Sequence, residues 1–152
     1  MPDQPPTSPA ALVPVMTAAA ISDFWDEHFP QIQSARDLDI VSIGPGEAVL
    51  RLTPADRHLR PGGTVSGPSL FTLADVAAYA ALLAHIGPEP LIVTTSLTIN
   101  FMRRPPLTSL LGSCRILKLG RRLAVVEVGI RPETGGDLVA HATATYSIPQ
   151  RR

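Results

Sequence analysis

The sequence predicts an α+β domain in which one long helix packs on an antiparallel sheet and a shorter helix precedes both. Three observations carry that reading. Between Ser69 and His85 apolar residues recur at 70, 73, 74, 77, 80, 81 and 84, a helical spacing, whereas the flanking segments alternate with period two. Gly and Pro punctuate the alternating segments at hairpin-length intervals. The length of 152 residues suits one hydrophobic core rather than two.

Taken in order, residues 1–14 hold five of the sixteen prolines and no periodicity, the composition of a disordered leader ahead of one domain over 15–152. Thr17 to Phe29 reads as a short helix with Ile21, Phe24, Trp25 and Phe29 on one side, ended by Pro30. Asp39 to Thr53 reads as a hairpin or bulged strand interrupted at Gly44-Pro45-Gly46. A turn-rich stretch from His58 to Pro68 enters the long helix, with Ser66 or Gly67 as its cap and Pro68 in its first turn. Beyond Gly87-Pro88-Glu89-Pro90 come four strands, near 91–102, 110–119, 122–131 and 138–148. Tight turns at Gly120-Arg121 and at 133–136 make the last three a meander.

Composition narrows the function. Thirteen Lys and Arg balance thirteen Asp and Glu, and the pI of 6.9 argues against a nucleic acid partner or an anionic membrane. A single cysteine, Cys114, precludes an intrachain disulfide, and the four histidines never fall at His-x-x-x-His spacing, so no metal site is expected. The apolar patch from Ala10 to Ile21 has no preceding Lys or Arg and is broken by Pro14, which predicts a cytoplasmic address rather than a signal sequence. The long helix approaches the length of a membrane span, but its central Asp75 and its fence of Pro68 and Gly87-Pro88 favour a core helix.

Asp75 is the lone charge in that helix. An ionised carboxylate among apolar neighbours is costly unless it is hydrogen-bonded. It is therefore either held by backbone amides or a nearby Arg, or it is a base or nucleophile tuned by burial.

An ordered set of short motifs runs from residue 63 to residue 146: Gly63-Thr-Val-Ser-Gly67, Leu73-Ala-Asp75, Val93-Thr94, Ile99-Asn-Phe-Met-Arg103, Leu119-Gly-Arg121, Leu138-Val-Ala140 and Thr145-Tyr146. The set resembles hotdog-fold acyl-CoA thioesterases of the phenylacetic-acid-degradation, PaaI-like type, over roughly residues 39–148. The resemblance implies a long central helix wrapped by an antiparallel sheet. It also implies acyl-CoA as substrate, no cofactor, and assembly with itself as a dimer or a dimer of dimers. The turn before the helix in that family reads Asn, five residues, His-Gly-Gly, and here the matching positions are Arg60, Ser66, Gly67 and Pro68. Gly67, Asp75 and Thr94 keep the pattern.

In that frame Gly67 stands at the positive end of the helix, where a backbone N–H can stabilise a developing oxyanion. Asp75 acts as general base or nucleophile, and the Thr94 hydroxyl holds the water. Gly67 and Asp75 are eight positions apart, roughly 12 Å along a helix axis, too far to serve one carbonyl. Two antiparallel helices across a two-fold axis would bring them together. The arginine pairs Arg103/Arg104 and Arg121/Arg122 flank strand ends and are candidates for the coenzyme phosphates. Arg60, Ser66 and Pro68 line the mouth, with Arg60 meeting either an acyl carboxylate or Asp56. Tyr79 reads as core or pocket wall, and Trp25 with Phe24 and Phe29 as cover for a pocket or a subunit edge. His58 and His141 read as surface or structural residues. Two alternatives stand beside hydrolysis: a non-catalytic acyl-CoA binding protein, and a hotdog hydratase or dehydratase, which would want a His where Ser66 stands.

Overall fold

A computed structural model describes residues 12–33 and 37–150. Residues 1–11, which make up most of the expected leader, lie outside it. Leu12 packs against the core, and the Val15 amide donates to the Ala84 carbonyl at 2.6 Å. Helix α1 (Ala18–His28) is capped by Thr17, whose Oγ1 accepts from the Ala20 amide at 3.1 Å. It buries Ile21, Phe24 and Trp25. Pro30 closes that helix as expected, and it also opens a second one, α2 (Pro30–Gln33), because its fixed φ and missing N–H suit a first helical turn.

Strands β1 (Leu38–Gly44) and β2 (Glu47–Leu52) form the expected hairpin, with a bulge between Ile40 and Ser42. A single 3-10 turn over Asp56–His58 and a two-residue ladder, β3 (Leu59–Arg60) with β4 (Thr64–Val65), shape the approach to the long helix α3 (Gly67–Ile86). The ladder lies inside the stretch from His58 to Pro68 read as turns, and the 3-10 turn ends where that stretch begins. Strands β5 (Val93–Phe101), β6 (Leu110–Leu119), β7 (Leu123–Pro132) and β8 (Ala140–Ser147) complete a six-stranded sheet in the order β1-β2-β6-β7-β8-β5. The meander holds for β6 to β8. Strand β5 crosses to the far edge and pairs only with β8, Val93 opposite Ser147 and Phe101 opposite Ala140.

Helix α3 lies on one sheet face and supplies more of the core than any other element, through Leu70, Leu73, Leu82, Leu83 and a run of alanines. Its close approach needs Gly112 on β6, where a Cβ would stand 3.0 Å from Leu73 Cγ. His85 ties the end of α3 to the β1–β2 turn. Its Nδ1–H donates to the Ala81 carbonyl at 2.7 Å and its Nε2 accepts from the Gly46 amide at 2.8 Å. Among the described residues α3 alone is long and apolar enough to cross a bilayer, and here it is the core helix of the sheet. The helix is not covered over its first turns, where Pro68, Phe71 and Thr72 are exposed and Ser69 is half-buried. The face they occupy leads to Asp75.

Candidate active site

Asp75 is held from the sheet. Thr94 Oγ1 on β5 donates to Asp75 Oδ1 at 2.7 Å, and the Tyr146 hydroxyl on β8 donates to the same oxygen at 2.5 Å. Oδ2 has no hydrogen-bond partner among the described residues. A carboxylate with one oxygen fixed by two donors and the other open is aimed as a base or nucleophile must be. Thr94 spends its proton on Asp75, so toward a water it can act only as acceptor. Burial, and next the Asp75 charge, push the Tyr146 phenol far above its ordinary range, so it remains a donor.

Tyr146 was part of the motif set but carried no role in the sequence reading. Along β8 the buried row reads Ala140, Ala142, Ala144, Tyr146, and one phenol ending a row of alanines is the signal that marks it. A large ring fits there only if its hydroxyl finds a partner at the helix.

Asp75 lines two cavities. One is a groove of about 730 Å³, bounded by the open face of α3 through Ser66, Pro68, Ser69 and Thr72, and by Asp37 and His58 opposite. The other is a chamber of about 170 Å³ between α2, α3 and the start of β5. Tyr79 is a wall of this chamber, and Trp25 stacks behind it with ring centroids 6.1 Å apart. His58 is occupied at both nitrogens: Nδ1 accepts from the Ala55 amide at 2.8 Å and Nε2 meets Asp37 Oδ2 at 3.1 Å. Its carbonyl accepts from the Ser66 amide at 2.7 Å. It fixes the loop that delivers the helix, which matches its reading as a structural residue. His141 sits on the outward row of β8 against Glu127.

Gly67 faces elsewhere. Ser66 caps the helix by accepting from the Ser69 amide, and the Gly67 N–H, first in the helix, has no carbonyl one turn earlier to bond. It lines a third cavity, of about 410 Å³, with Arg60, Phe101, Arg103 and Arg104. Arg60 therefore joins the twin arginines, and no ion pair to Asp56 is found among the described residues. Arg121 and Arg122 border a separate cavity with Lys118 and Gln150. The two arginine pairs stand at opposite ends of β5 and β8, roughly 27 Å apart at strand rise, so one subunit cannot close both on one phosphate group. Ser66 and Pro68 line the Asp75 groove instead of the Gly67 cavity. Among the described residues no three His, Cys, Asp or Glu side chains gather as metal ligands do.

The sequence pattern of the Thioesterase superfamily matches residues 62–139, which span β4, α3 and the strands up to the start of β8. The chain belongs to the Thioesterase superfamily. An inferred thioesterase of Silicibacter sp. TM1040 is 47% identical with a TM-score of 0.83, over 91% of this chain and 96% of that one. A mutant form of the phenylacetic acid degradation protein PaaI of Thermus thermophilus is 30% identical with a TM-score of 0.66, over 77% of this chain and 97% of its own. An inferred esterase of Pseudomonas aeruginosa is 29% identical over 143 residues, 93% of this chain and 97% of the relative. The architecture of this superfamily member is the hotdog fold, with α3 as the filling.

Proposed function

We propose that this thioesterase-superfamily protein hydrolyses acyl-coenzyme A thioesters to the free acid and coenzyme A, at a site shared between two copies of the chain. The observation that carries the reading is the Asp75 carboxylate, with Oδ1 held by Thr94 and Tyr146 and Oδ2 open. As a base, Oδ2 takes a proton from water, the hydroxide adds to the thioester carbonyl, and the C–S bond breaks with the thiolate taking up the proton. As a nucleophile, Oδ2 adds directly, the thiolate leaves, and water cleaves the resulting anhydride. Labelling of Asp75 by heavy-oxygen water over many turnovers marks the second route.

The oxyanion donor comes from the partner. Within one subunit Gly67 and Asp75 open onto different cavities. Strand β5 is a sheet edge, with Val93 56% and Phe101 54% exposed, an unusual amount of apolar surface for a free edge. Antiparallel pairing of two β5 edges sets the Phe101 end of one copy, with its Gly67, Arg103 and Arg104, beside the Val93 and Asp75 end of the other. Arg60, Arg103 and Arg104 then meet the coenzyme phosphates.

Asp75→Asn keeps shape and hydrogen bonding and removes the charge. Thiol release from acyl-CoA, followed with a thiol reagent, should fall by about 10²- to 10⁴-fold, and rates within a few-fold of wild type would refute the assignment. A non-catalytic acyl-CoA binding protein is the second reading, favoured by Pro68, which deletes the amide next to Gly67 at the helix mouth. Saturable acyl-CoA binding by the wild type without thiol release would establish it. The hydratase reading is weaker, because neither ring nitrogen of His58 is free.

A further inference from the structure

We propose that the chamber of about 170 Å³ beside Asp75 seats the acyl group, and that Phe29 and Ile32 limit that group to a compact apolar unit of about six carbons. The inference rests on the thioester reading above and adds the substrate class.

One end of the chamber is the reacting end, formed by Asp75, Thr94 and Tyr146. A thioester carbonyl placed against Asp75 Oδ2 must send one of its two arms inward. Away from the acid the walls are Phe29, Ile32, Val76, Tyr79 and Ile92. The Tyr79 hydroxyl is 3.4 Å from the Pro90 carbonyl, at the long limit of a hydrogen bond. The pantetheine arm carries amides, and burying them among such walls would leave them without partners. An alkyl or aryl arm has no such penalty. The acyl side therefore enters, and the coenzyme side leaves toward the polar groove and the partner's arginines.

Size follows from volume. An apolar cavity of about 150 Å³ accepts a benzene ring, so 170 Å³ holds one ring or a short or branched chain of similar bulk. The back wall is fixed, since Tyr79 stacks on Trp25 with an interplanar angle of 11° and Trp25 is buried. The side wall is thin. Phe29, Ile32, Asp75 and Val76 line both the chamber and the 730 Å³ groove, so Phe29 and Ile32 of the α1–α2 corner are the partition between the two spaces. The corner holds its shape through the Phe29 amide, which donates to the Trp25 carbonyl at 2.7 Å, and the Ile32 amide, which donates to the Phe29 carbonyl at 3.1 Å. Removing either side chain joins the chamber to the groove and lets a long chain run through.

The test uses the full chain and two series running from two to sixteen carbons: acyl-CoAs for thiol release, and S-alkyl-coenzyme A thioethers, which cannot be hydrolysed, for calorimetric binding. In the wild type both series should peak near six carbons and fall at least tenfold by twelve. In Phe29→Ala and Ile32→Ala the ratio of twelve-carbon to six-carbon binding should rise at least tenfold. Phe29 is 42% exposed, so its loss does not hollow the core. Ile92→Phe, which fills the chamber, should shift the optimum to two or three carbons. A length profile unchanged by all three variants, a wild-type optimum of twelve carbons or more, or no thioether binding at any length overturns the proposal. The length profile in binding without thiol release refutes hydrolysis and leaves the chamber assigned.

Discussion

The Tyr146 hydroxyl stands 2.5 Å from Asp75 Oδ1 and 3.0 Å from the Asp75 backbone carbonyl, so one residue of the last strand meets both the helix backbone and the carboxylate it carries. Thr94 completes the hold from the neighbouring strand. Position 75 is thereby referenced to the sheet rather than to the helix alone, and the open oxygen is presented in one orientation.

Removing either donor tests this. A hydrogen bond to a charged group is worth about 1.5–3 kcal/mol, so Tyr146→Phe, which keeps the buried ring, should lower kcat roughly 10- to 100-fold with KM little changed. Thr94→Val should act in the same direction, and the double variant should lose less than the product of the two, because the donors share one acceptor oxygen. Steady-state kinetics on the four proteins decide it. A kcat unchanged in both single variants would mean that orientation of the carboxylate does not limit the reaction.

The arginine pairs separate by place. Arg103 and Arg104 share a cavity with Gly67 and Arg60, whereas Arg121 and Arg122 border another. Arg103 is partly engaged by Asp137 at 3.3 Å. Phosphate contacts far from the reacting carbonyl bind ground and transition states alike. Arg104→Ala should therefore raise KM about tenfold, flatten its dependence on salt and spare kcat, with a smaller effect from Arg121→Ala or Arg122→Ala. A larger KM effect at 121 or 122 would move the nucleotide to the other end of the sheet.

Alkaline stability carries a signature of the buried acids. Burial pushes up the Cys114 thiol, the Tyr146 phenol and the Tyr79 phenol, with Glu127, Asp75 and Glu89 adding their negative charge in turn. Each group keeps its proton in the folded chain after the unfolded chain has lost it, from about 9.0 for the thiol and 10.0 for the phenols. Below those values the two states bind equal numbers of protons and these groups give no slope. Above them the folded state binds more, and stability must fall as pH rises. Urea midpoints should thus decline beyond about pH 9, with a shallower decline in Cys114→Ala. A midpoint that stays level to about pH 11 in the wild type contradicts the burial of these groups.

How much of this was legible in the chain depended on whether the deciding contact was local. The spacing of Leu70, Leu73, Ala77 and Ala81 specifies α3, and the Gly44-Pro45-Gly46 and Gly120 breaks specify hairpins, because periodicity and turn chemistry act over a few residues. The crossing of β5 to the far edge was not legible. Its partner β8 begins 39 residues after β5 ends, and nothing in Val93 to Phe101 encodes which strand it joins. Asp75 announced itself as a charge in an apolar helix. Tyr146 is 71 positions away and looked like any strand aromatic until the fold closed. The division of Arg103/Arg104 from Arg121/Arg122 is likewise a property of sheet order. Phe29 reads, with Phe24 and Trp25, as cover for a pocket or a subunit edge. Ile32 gave no such signal, and which two spaces the pair divides is set by where α2 lands on α3.

The proposed shared site makes a complementation prediction that no single-subunit site can meet. Gly67→Val disables the proposed oxyanion position, since even a Cβ there would lie 3.3 Å from Phe101 Cζ and a larger side chain would crowd the approach to the amide. Asp75→Asn disables the base or nucleophile. Each homodimer alone has two dead sites. In a heterodimer of the two variants, one composite site carries both substitutions and the other combines an intact Asp75 with an intact Gly67. Co-expression at equal levels yields about half heterodimers, each with one working site of two, so about one quarter of wild-type activity should return. Light scattering should show the dimer or a multiple of it in every sample. If Gly67 and Asp75 of the same chain served one carbonyl, every subunit in the mixture would be defective and no activity would return.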